Sequence, residues 1–208
     1  MARTKVDLKR EFDALYTAGR EPALVDVPEL PFLSIDGHGD PNTAPEYAEA
    51  VQAIYQVAYT LKFTLKRAED GIDYGVMPLE GLWWVPDMTT FSTSDKSDWD
   101  WTMMILQPSV VTEPMVEQAK ESAASKHPSA AIARVRLERF EEGEAAQVMH
   151  IGPYADEGPT IARLHAFIDQ AGLDLSGKHH EIYLGDPRRA APEKLRTIIR
   201  QPVSRRPG

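Results

Sequence analysis

Apolar residues recur at helical spacing between residues 47 and 67. In a helix these residues would lie on one face. They are Tyr47, Val51, Ile54, Tyr55, Ala58, Leu61 and Leu65. Pro45 and Glu46 stand in the first turn, where proline leaves no amide unsatisfied and a carboxylate interacts favourably with the helix dipole. The pattern predicts a long amphipathic helix that begins near Thr43 and ends near Arg67.

Two further helices are predicted from the same kind of pattern. The stretch 160–170 follows Pro159, precedes Gly172 and has four apolar residues on one side, at Ile161, Leu164, Phe167 and Ile168. The stretch 112–126 is apolar at Met115, Val116, Ala119 and Ala123. We interpret it as a linker helix between two similar halves of the chain.

Strand-like segments surround the first two helices in the same order. An extended apolar run precedes each helix, at residues 23–39 and 145–152, and a hairpin follows each one. The first hairpin pairs residues 74–85 with 101–106, and the second pairs residues 181–184 with 195–199. The hairpins end on similar sequences, Met103–Pro108 and Thr197–Pro202.

The repeated order of strand, helix, strand, strand predicts an α+β fold of duplicated β-α-β-β units. Joining the two units edge to edge would cover a strand edge and an apolar face that each unit leaves open. We expect pseudo-twofold symmetry, an antiparallel sheet with the helices on one side, and a ligand cleft between the units. A single domain would span residues 1–208, with units at about 20–110 and 130–203 and the linker helix at about 112–127.

Composition narrows the classes of function. The chain has no cysteine, which excludes disulfides, thiolate metal sites and a cysteine nucleophile. Its formal net charge of -9 argues against direct nucleic-acid binding, because phosphate contacts depend on lysine and arginine. No apolar run is long enough to span a bilayer, and no phosphate-loop or dinucleotide motif occurs. We therefore expect a cytoplasmic protein that contacts no membrane and needs no cofactor.

Two adjacent tryptophans, Trp83 and Trp84, end the strand-like segment that begins at Tyr74. Because side chains alternate along a strand, the two indoles should point to opposite faces of the sheet. Only one of them can be ordinary core beneath the helix. The other either lines a ligand pocket or serves as a structural anchor, and both readings stay open.

A glycine and a proline bend the chain after His150. Gly152 and Pro153 would carry Tyr154 out over the sheet, where its hydroxyl could donate a hydrogen bond to a ligand. A tyrosine that simply caps the core is the alternative.

Glu181 begins an apolar strand and shares a strand face with Tyr183. A carboxylate buried there needs a partner, and burial beside aromatic rings would raise its pKa. Glu181 is therefore a candidate general base or counter-ion, with an exposed position at the sheet edge as the alternative. His179 and His180 alternate in direction and cannot bind one ion together, so no metal is expected.

These motifs resemble those of the GyrI-like small-molecule-binding family. The resemblance rests on Pro78–Trp84, His150–Tyr154 and His179–Leu184 followed by Asp186-Pro187-Arg188, and it covers about Asp7 to Val203. It implies two SHS2-type units around a ligand cleft, in which aromatic residues surround a buried glutamate at the position of Glu181. The family's regulators sense cationic lipophilic drugs, but no helix-turn-helix precedes the motifs here. A stand-alone subset hydrolyses cyclopropane-bearing, DNA-alkylating natural products.

Three functions remain open at this stage. In the first, the protein is a hydrolase for such cyclopropanes and takes part in detoxification, with Glu181, Tyr154 and Tyr183 as catalytic residues. In the second, it binds or senses hydrophobic, aromatic or cationic compounds without chemistry. In the third, it modulates gyrase. The ligand-binding residues predicted for the cleft are Trp83, Trp84, Tyr74, Glu80, His150 and Met104.

Overall fold

The computed structural model describes residues 4–91 and 95–206 of the chain. Within these ranges the helices are α1 (Leu8–Glu11), α2 (Asp13–Tyr16), α3 (Pro45–Arg67), α4 (Glu113–Lys126), α5 (Ala130–Arg134) and α6 (Gly158–Gln170). The strands are β1 (Thr4–Val6), β2 (Ala23–Val27), β3 (Leu30–His38), β4 (Ile72–Tyr74), β5 (Leu79–Trp84), β6 (Asp100–Leu106), β7 (Arg136–Phe140), β8 (Gly143–Ile151), β9 (Leu173–Leu175), β10 (His179–Tyr183) and β11 (Arg196–Arg205). The three long helices confirm those predicted from apolar spacing.

One large antiparallel sheet organises the molecule. Its strand order is β2-β8-β11-β10-β5-β6-β3-β7, with β9 added to the end of β11, and β1 and β4 form a separate parallel pair. Both predicted hairpins are present as β5–β6 and β10–β11. At the centre β5 pairs with β10, so that Gly81 lies opposite Glu181. The strand order β3-β6-β5 in one half matches β8-β11-β10 in the other, while the duplication itself stays a prediction.

The apolar run before α3 divides between distant parts of the sheet. β2 pairs with β8, whereas β3 pairs with β6 and β7. The division falls at Pro28, which has no amide proton to give to a strand ladder. The segment after α3 divides in the same way into β4 and β5, with Pro78 just before β5.

Helices α3 and α6 pack on the same side of the sheet, called here the helical face. From α3, Tyr47 contacts the rings of Trp83 and Trp101. From α6, Leu164 and Ile168 are buried against sheet residues that include Val148 and Ile199. The registers across the sheet place Glu181 in the same row as Ile199 and Val148, and therefore on this face. α4 packs against α3.

The chain start covers the opposite side of the sheet, called here the rear face. The short helices α1 and α2 lie there. The sequence had predicted helices on one side of the sheet only. Residues near both ends of the described chain also take part in strand pairing: Thr4 and Lys5 pair with β4, and Ser204 and Arg205 pair with β9.

A buried polar network fixes this segment to the rear face. Tyr16 donates a hydrogen bond of 2.5 Å to Glu80, and His180 lies 3.1 Å from the other oxygen of Glu80. The second ring nitrogen of His180 lies 3.0 Å from Glu142, which also accepts a 3.2 Å hydrogen bond from Arg200. Buried charges are tolerated when they are paired in this way. The network therefore joins β5, β10, β11 and the β7–β8 turn behind the centre of the sheet.

His180 makes the stability of the fold depend on pH. Burial disfavours its charged form, but the charge of Glu142 and hydrogen bonds to Glu142 and Glu80 outweigh burial and raise the pKa of His180 from 6.5 to about 9. Because the pKa is higher in the folded state, this stabilisation is complete below pH 6.5 and is lost as the pH rises through about 9. We predict a loss on the order of 3 kcal/mol in unfolding free energy, measured by urea denaturation between pH 6 and about 10.

The matched variants are His180→Gln and His127→Gln, since His127 is exposed. The first should lose most of the alkaline slope, and the second should keep it. An unchanged slope in His180→Gln would show that the slope arises elsewhere.

Candidate functional site

A cavity of about 690 Å³ lies on the helical face, with Glu181 among the residues that line it. Three connections form its walls. Residues 40–43 lead from β3 into α3, residues 95–99 lead into β6, and residues 154–159 lead from β8 into α6. The first turns of α3 and α6 therefore both open toward this space, which places the positive ends of two helix dipoles nearby.

Glu181 is held as an ionised carboxylate. The residue is 7% exposed. Tyr183 donates a 2.7 Å hydrogen bond to its Oε2, and His179 Nε2 lies 3.1 Å from its Oε1. Burial alone would raise the pKa of Glu181, as the sequence analysis expected. That expectation was wrong, because the hydrogen bonds and charge supplied by His179 and Tyr183 outweigh burial and lower the pKa of this carboxyl.

A second carboxyl, Glu157, lies beside Glu181 in the wall of the cavity. It is 5% exposed, and its Oε1 has no hydrogen-bond partner within residues 4–91 and 95–206. Burial, followed by the negative charge of Glu181, raises the pKa of Glu157 to about 9. At neutral pH the pair therefore holds one proton, on Glu157, and one negative charge, on Glu181.

Aromatic rings close the cavity on the β5 side. Trp99 lines the space, stacks on Phe91 at 4.8 Å and contacts Trp83 at 5.2 Å between ring centroids. Trp83 stands behind Trp99 and is 2% exposed. Lys96 Nζ lies 4.7 Å from the centre of the Trp99 ring. The cavity thus joins a flat aromatic surface, one cation and the two adjacent carboxyls.

Gly81 makes room for this aromatic surface. A methyl group at Gly81 would stand 2.8 Å from Trp83 Nε1 and 2.7 Å from Met103 Cε. The Trp83 indole therefore lies across the backbone of Gly81, which pairs with Glu181 on the next strand.

The structure brings several of the predicted site residues together. Glu181 and Tyr154 both line the cavity. Tyr183 is bound to Glu181, and its ring centroid lies 5.4 Å from that of Tyr154. Burial and then the charge of Glu157 raise the pKa of Tyr154 to about 12, so its hydroxyl keeps its proton at neutral pH.

Other predicted site residues lie away from the cavity. Side-chain alternation turns Trp84, Glu80 and Met104 toward the rear face, where Glu80 belongs to the buried network. Tyr74 is buried on β4 and donates a hydrogen bond to Gln107. His150 is on the helical face, but its ring nitrogens lie within 3.2 Å of Thr160 Oγ1 and the Pro153 carbonyl.

The expected opposite directions of His179 and His180 are confirmed. His179 contacts Glu181 on the helical face, whereas His180 contacts Glu80 and Glu142 on the rear face. Within the part of the chain that the structure describes, no group of three or more His, Asp or Glu side chains is arranged to hold a metal. No helix there is long and apolar enough to cross a membrane.

Comparison with known proteins gives a family match over most of the chain. Residues 20–204 match the GyrI-like small molecule binding domain. The chain belongs to the GyrI-like small-molecule-binding family. No curated protein matches it.

Solved structures agree with the GyrI-like assignment. An uncharacterized conserved protein from Listeria innocua is 45% identical, with a TM-score of 0.89 over 96% of this chain and 100% of that one. A protein from Listeria innocua described as a hydrolase is 44% identical, with a TM-score of 0.85 over 97% of this chain and 100% of that one. The C-terminal domain of EcmrR shares the fold at 14% identity, with a TM-score of 0.56 over 89% of this chain and 98% of that one.

Reasoning from the sequence missed most residues that line this GyrI-like cavity, among them Glu157, Lys96, Trp99 and Asp40. Glu157 directly precedes Gly158-Pro159 and looks like an ordinary first-turn acid of α6. The other three stand in loops, where no periodic pattern marks them. A buried acid beside Glu181 could be recognised only once the position of the turn at Tyr154 relative to β10 was known.

The carboxyl pair of this GyrI-like protein should titrate in two steps. We predict that ¹³C NMR of the glutamate side-chain carboxyls shows one group that titrates near pH 9, because ionising Glu157 places a second charge beside Glu181. Glu157→Gln should abolish this step, and Glu181→Gln should move it to lower pH by removing the neighbouring charge. Titration of every glutamate below about pH 6 would contradict the assignment.

Gly81 should be intolerant of a side chain. Gly81→Ala must displace Trp83 or Met103, so we predict destabilisation by about 1–3 kcal/mol and a change in tryptophan fluorescence. Gly75→Ala is the matched control, because a methyl group there meets nothing within 4 Å. Equal unfolding free energies for the two variants would argue against the close approach of Trp83.

Proposed function

We propose that this protein is a hydrolase that opens strained cyclopropane rings of DNA-alkylating natural products and so detoxifies them. The observation that carries the proposal is the pair Glu181 and Glu157, two buried and adjacent carboxyls that line one cavity. Their surroundings lower the pKa of Glu181 and raise that of Glu157. Such a pair offers a base and an acid at one pH. Proteins from Listeria innocua that are 44% identical are described as hydrolases, which supports this class of reaction.

In the proposed reaction, Glu181 acts as the general base. It takes a proton from water as the water oxygen bonds to the cyclopropane methylene carbon. The carbon–carbon bond between that methylene and the dienone ring breaks, and its electron pair moves into the ring. The ring becomes aromatic, and the carbonyl oxygen becomes a phenolate. Opening the strained ring in this way adds one water to the substrate.

Tyr154 and Glu157 receive the charge that forms on the substrate oxygen. Tyr154 keeps its proton and can donate a hydrogen bond to the carbonyl as it becomes phenolate. Glu157 supplies the proton that turns the phenolate into phenol. The pair is reset when the proton that Glu181 took from water passes to Glu157. Tyr183 is assigned a positioning role, because its hydroxyl is already committed to Glu181.

The aromatic surface gives the flat substrate a place to lie. Lys96 now lies over the Trp99 ring, and a planar ring system could take its place. Trp83 supports Trp99 from behind. Holding the substrate there would keep its strained ring near Glu181 and exclude bulk water from the rest of the cavity.

Binding without chemistry is the second candidate, and the charge of the cavity favours it for cationic ligands. The cavity lining includes four acidic residues against one lysine, namely Asp40, Asp95, Glu157 and Glu181 against Lys96. With Glu157 protonated, the other three acidic residues still outnumber the lysine, and a lipophilic cation would be attracted by them and by the aromatic surface. In that case Glu181 is a counter-ion.

The two candidates differ in product formation. We predict that incubation with a spirocyclopropyl dienone in H₂¹⁸O yields, by mass spectrometry, a product with one labelled water added. Glu181→Gln should lower the rate by about 10²-fold or more, because the glutamine cannot take a proton from water. Glu157→Gln and Tyr154→Phe should also lower it, and Glu193→Gln, an exposed glutamate, should not.

Equal rates in the wild-type protein and Glu181→Gln would contradict the role of Glu181. Saturable binding of the dienone without any water added would favour the binder.

A further inference from the structure

The rear face carries a second, smaller cavity of about 190 Å³. It lies on the other side of the sheet from Glu181, over β3, β5, β6 and β7. Its apolar lining consists of Leu82, Trp84, Met104 and Phe140, and its polar lining consists of Asp36, Thr102, Arg136, Glu138 and Lys178. Leu82 and Met104 are almost fully buried in this part of the sheet. The long side chains at the rim shield this part of the sheet.

The carboxylates at the rim already have partners. Arg136 lies 3.0 Å from Asp36 and 2.6 Å from Glu138, so one guanidinium serves both acids. Thr102 also donates a 2.7 Å hydrogen bond to Asp36. Arg136 is therefore already engaged and is not free to attract an anion.

Lys178 is the second positive charge of the lining. Its Nζ lies 3.3 Å from the centre of the Trp84 ring, and no carboxylate among residues 4–91 and 95–206 forms an ion pair with it. The side chain is partly buried, and this burial lowers the pKa of Lys178. Asp36, Glu138 and Asp100 attract Lys178 from beyond ion-pair distance. A ligand carboxylate in direct contact would supply the short partner that this ammonium lacks.

An unpartnered hydroxyl lies beneath the same part of the rear face. Ser34 is fully buried, and its Oγ has no hydrogen-bond partner in the described part of the chain. The strand registers place Ser34 opposite Met104 on one side and Arg136 on the other. Both of these neighbours line the rear cavity.

We propose that the rear cavity binds a small monocarboxylate with an apolar ring or branched chain, whose carboxylate pairs with Lys178. The apolar part would lie on Leu82, Met104 and Phe140. A cavity of about 150 Å³ is known to hold benzene, so this one is large enough for a single six-membered ring. The proposal is independent of the chemistry at Glu181.

Sodium benzoate is a suitable probe, and the indole Nε1–H signal of Trp84 reports its binding. The chain has four tryptophans, so the ¹H–¹⁵N spectrum contains few indole signals, and a Trp84→Phe variant assigns the relevant one. We expect benzoate to shift the Trp84 signal saturably, with a Kd of about 1 mM. Benzamide and benzylamine have the same ring without a negative charge. At the same concentrations they should not produce a saturable shift of the Trp84 signal.

Lysine variants test the assigned charge. Lys178→Met keeps the aliphatic stem over Trp84 and should weaken benzoate binding about tenfold or more, whereas Lys178→Arg should retain binding. Lys62→Met is the matched control, because Lys62 also lies near an aromatic ring, that of Phe63, but on α3. Glu181→Gln should leave the benzoate titration unchanged.

Several results would overturn the proposal. The first is the absence of a saturable shift of the Trp84 signal, and the second is an equal affinity for benzoate in Lys178→Met and the wild-type protein. The third is equal binding of benzamide and benzoate. The fourth is a benzoate-induced shift confined to the signals of Trp83 and Trp99. The last result would place benzoate in the larger cavity on the helical face.

Discussion

The hydrogen bonds that His179 and Tyr183 make to Glu181 are the interactions on which the site depends. A carboxylate that is almost fully buried in the centre of a sheet would otherwise take up a proton. With both oxygens hydrogen-bonded, Glu181 stays ionised. Burial and then the charge of Glu181 raise the pKa of the neighbouring Glu157, which keeps its proton at neutral pH. One strand, β10, thus provides the charged group and both of its partners.

The same strand links the two faces of the sheet. His180, next in sequence to Glu181, points to the rear and joins Glu80 and Glu142, and through them Tyr16 and Arg200. The buried network holds β10 against β5, which carries Gly81 and Trp83 on the helical face. The position of the candidate site therefore depends on paired charges on the side of the sheet that a ligand in the large cavity does not touch.

Much of the fold could be predicted from local sequence patterns. The apolar spacing of α3, α4 and α6 and the hairpins β5–β6 and β10–β11 are properties of short segments, and alternation along β10 correctly separated His179 from His180. The division of residues 23–39 between two parts of the sheet could not be predicted, because strand partners are chosen by the whole fold. The covering of the rear face by α1 and α2 was missed for the same reason.

The candidate site, too, could be predicted only in part from the sequence. Glu181 was found because a carboxyl in an apolar strand is unusual, but the direction of its pKa shift depends on two hydrogen bonds that only the folded chain reveals. Glu157 was missed because its partner is distant in sequence. Trp84 and Glu80 were included with Trp83 through one motif, although alternation turns them to the rear.

The central claim is that one proton is held between two adjacent buried carboxyls at the cavity. Neutron crystallography of the deuterated protein at neutral pD would test it most directly, because it locates the proton itself. The account predicts deuterium density on a carboxyl oxygen of Glu157 and none on Glu181. Density on Glu181, or two deprotonated carboxyls, would contradict it.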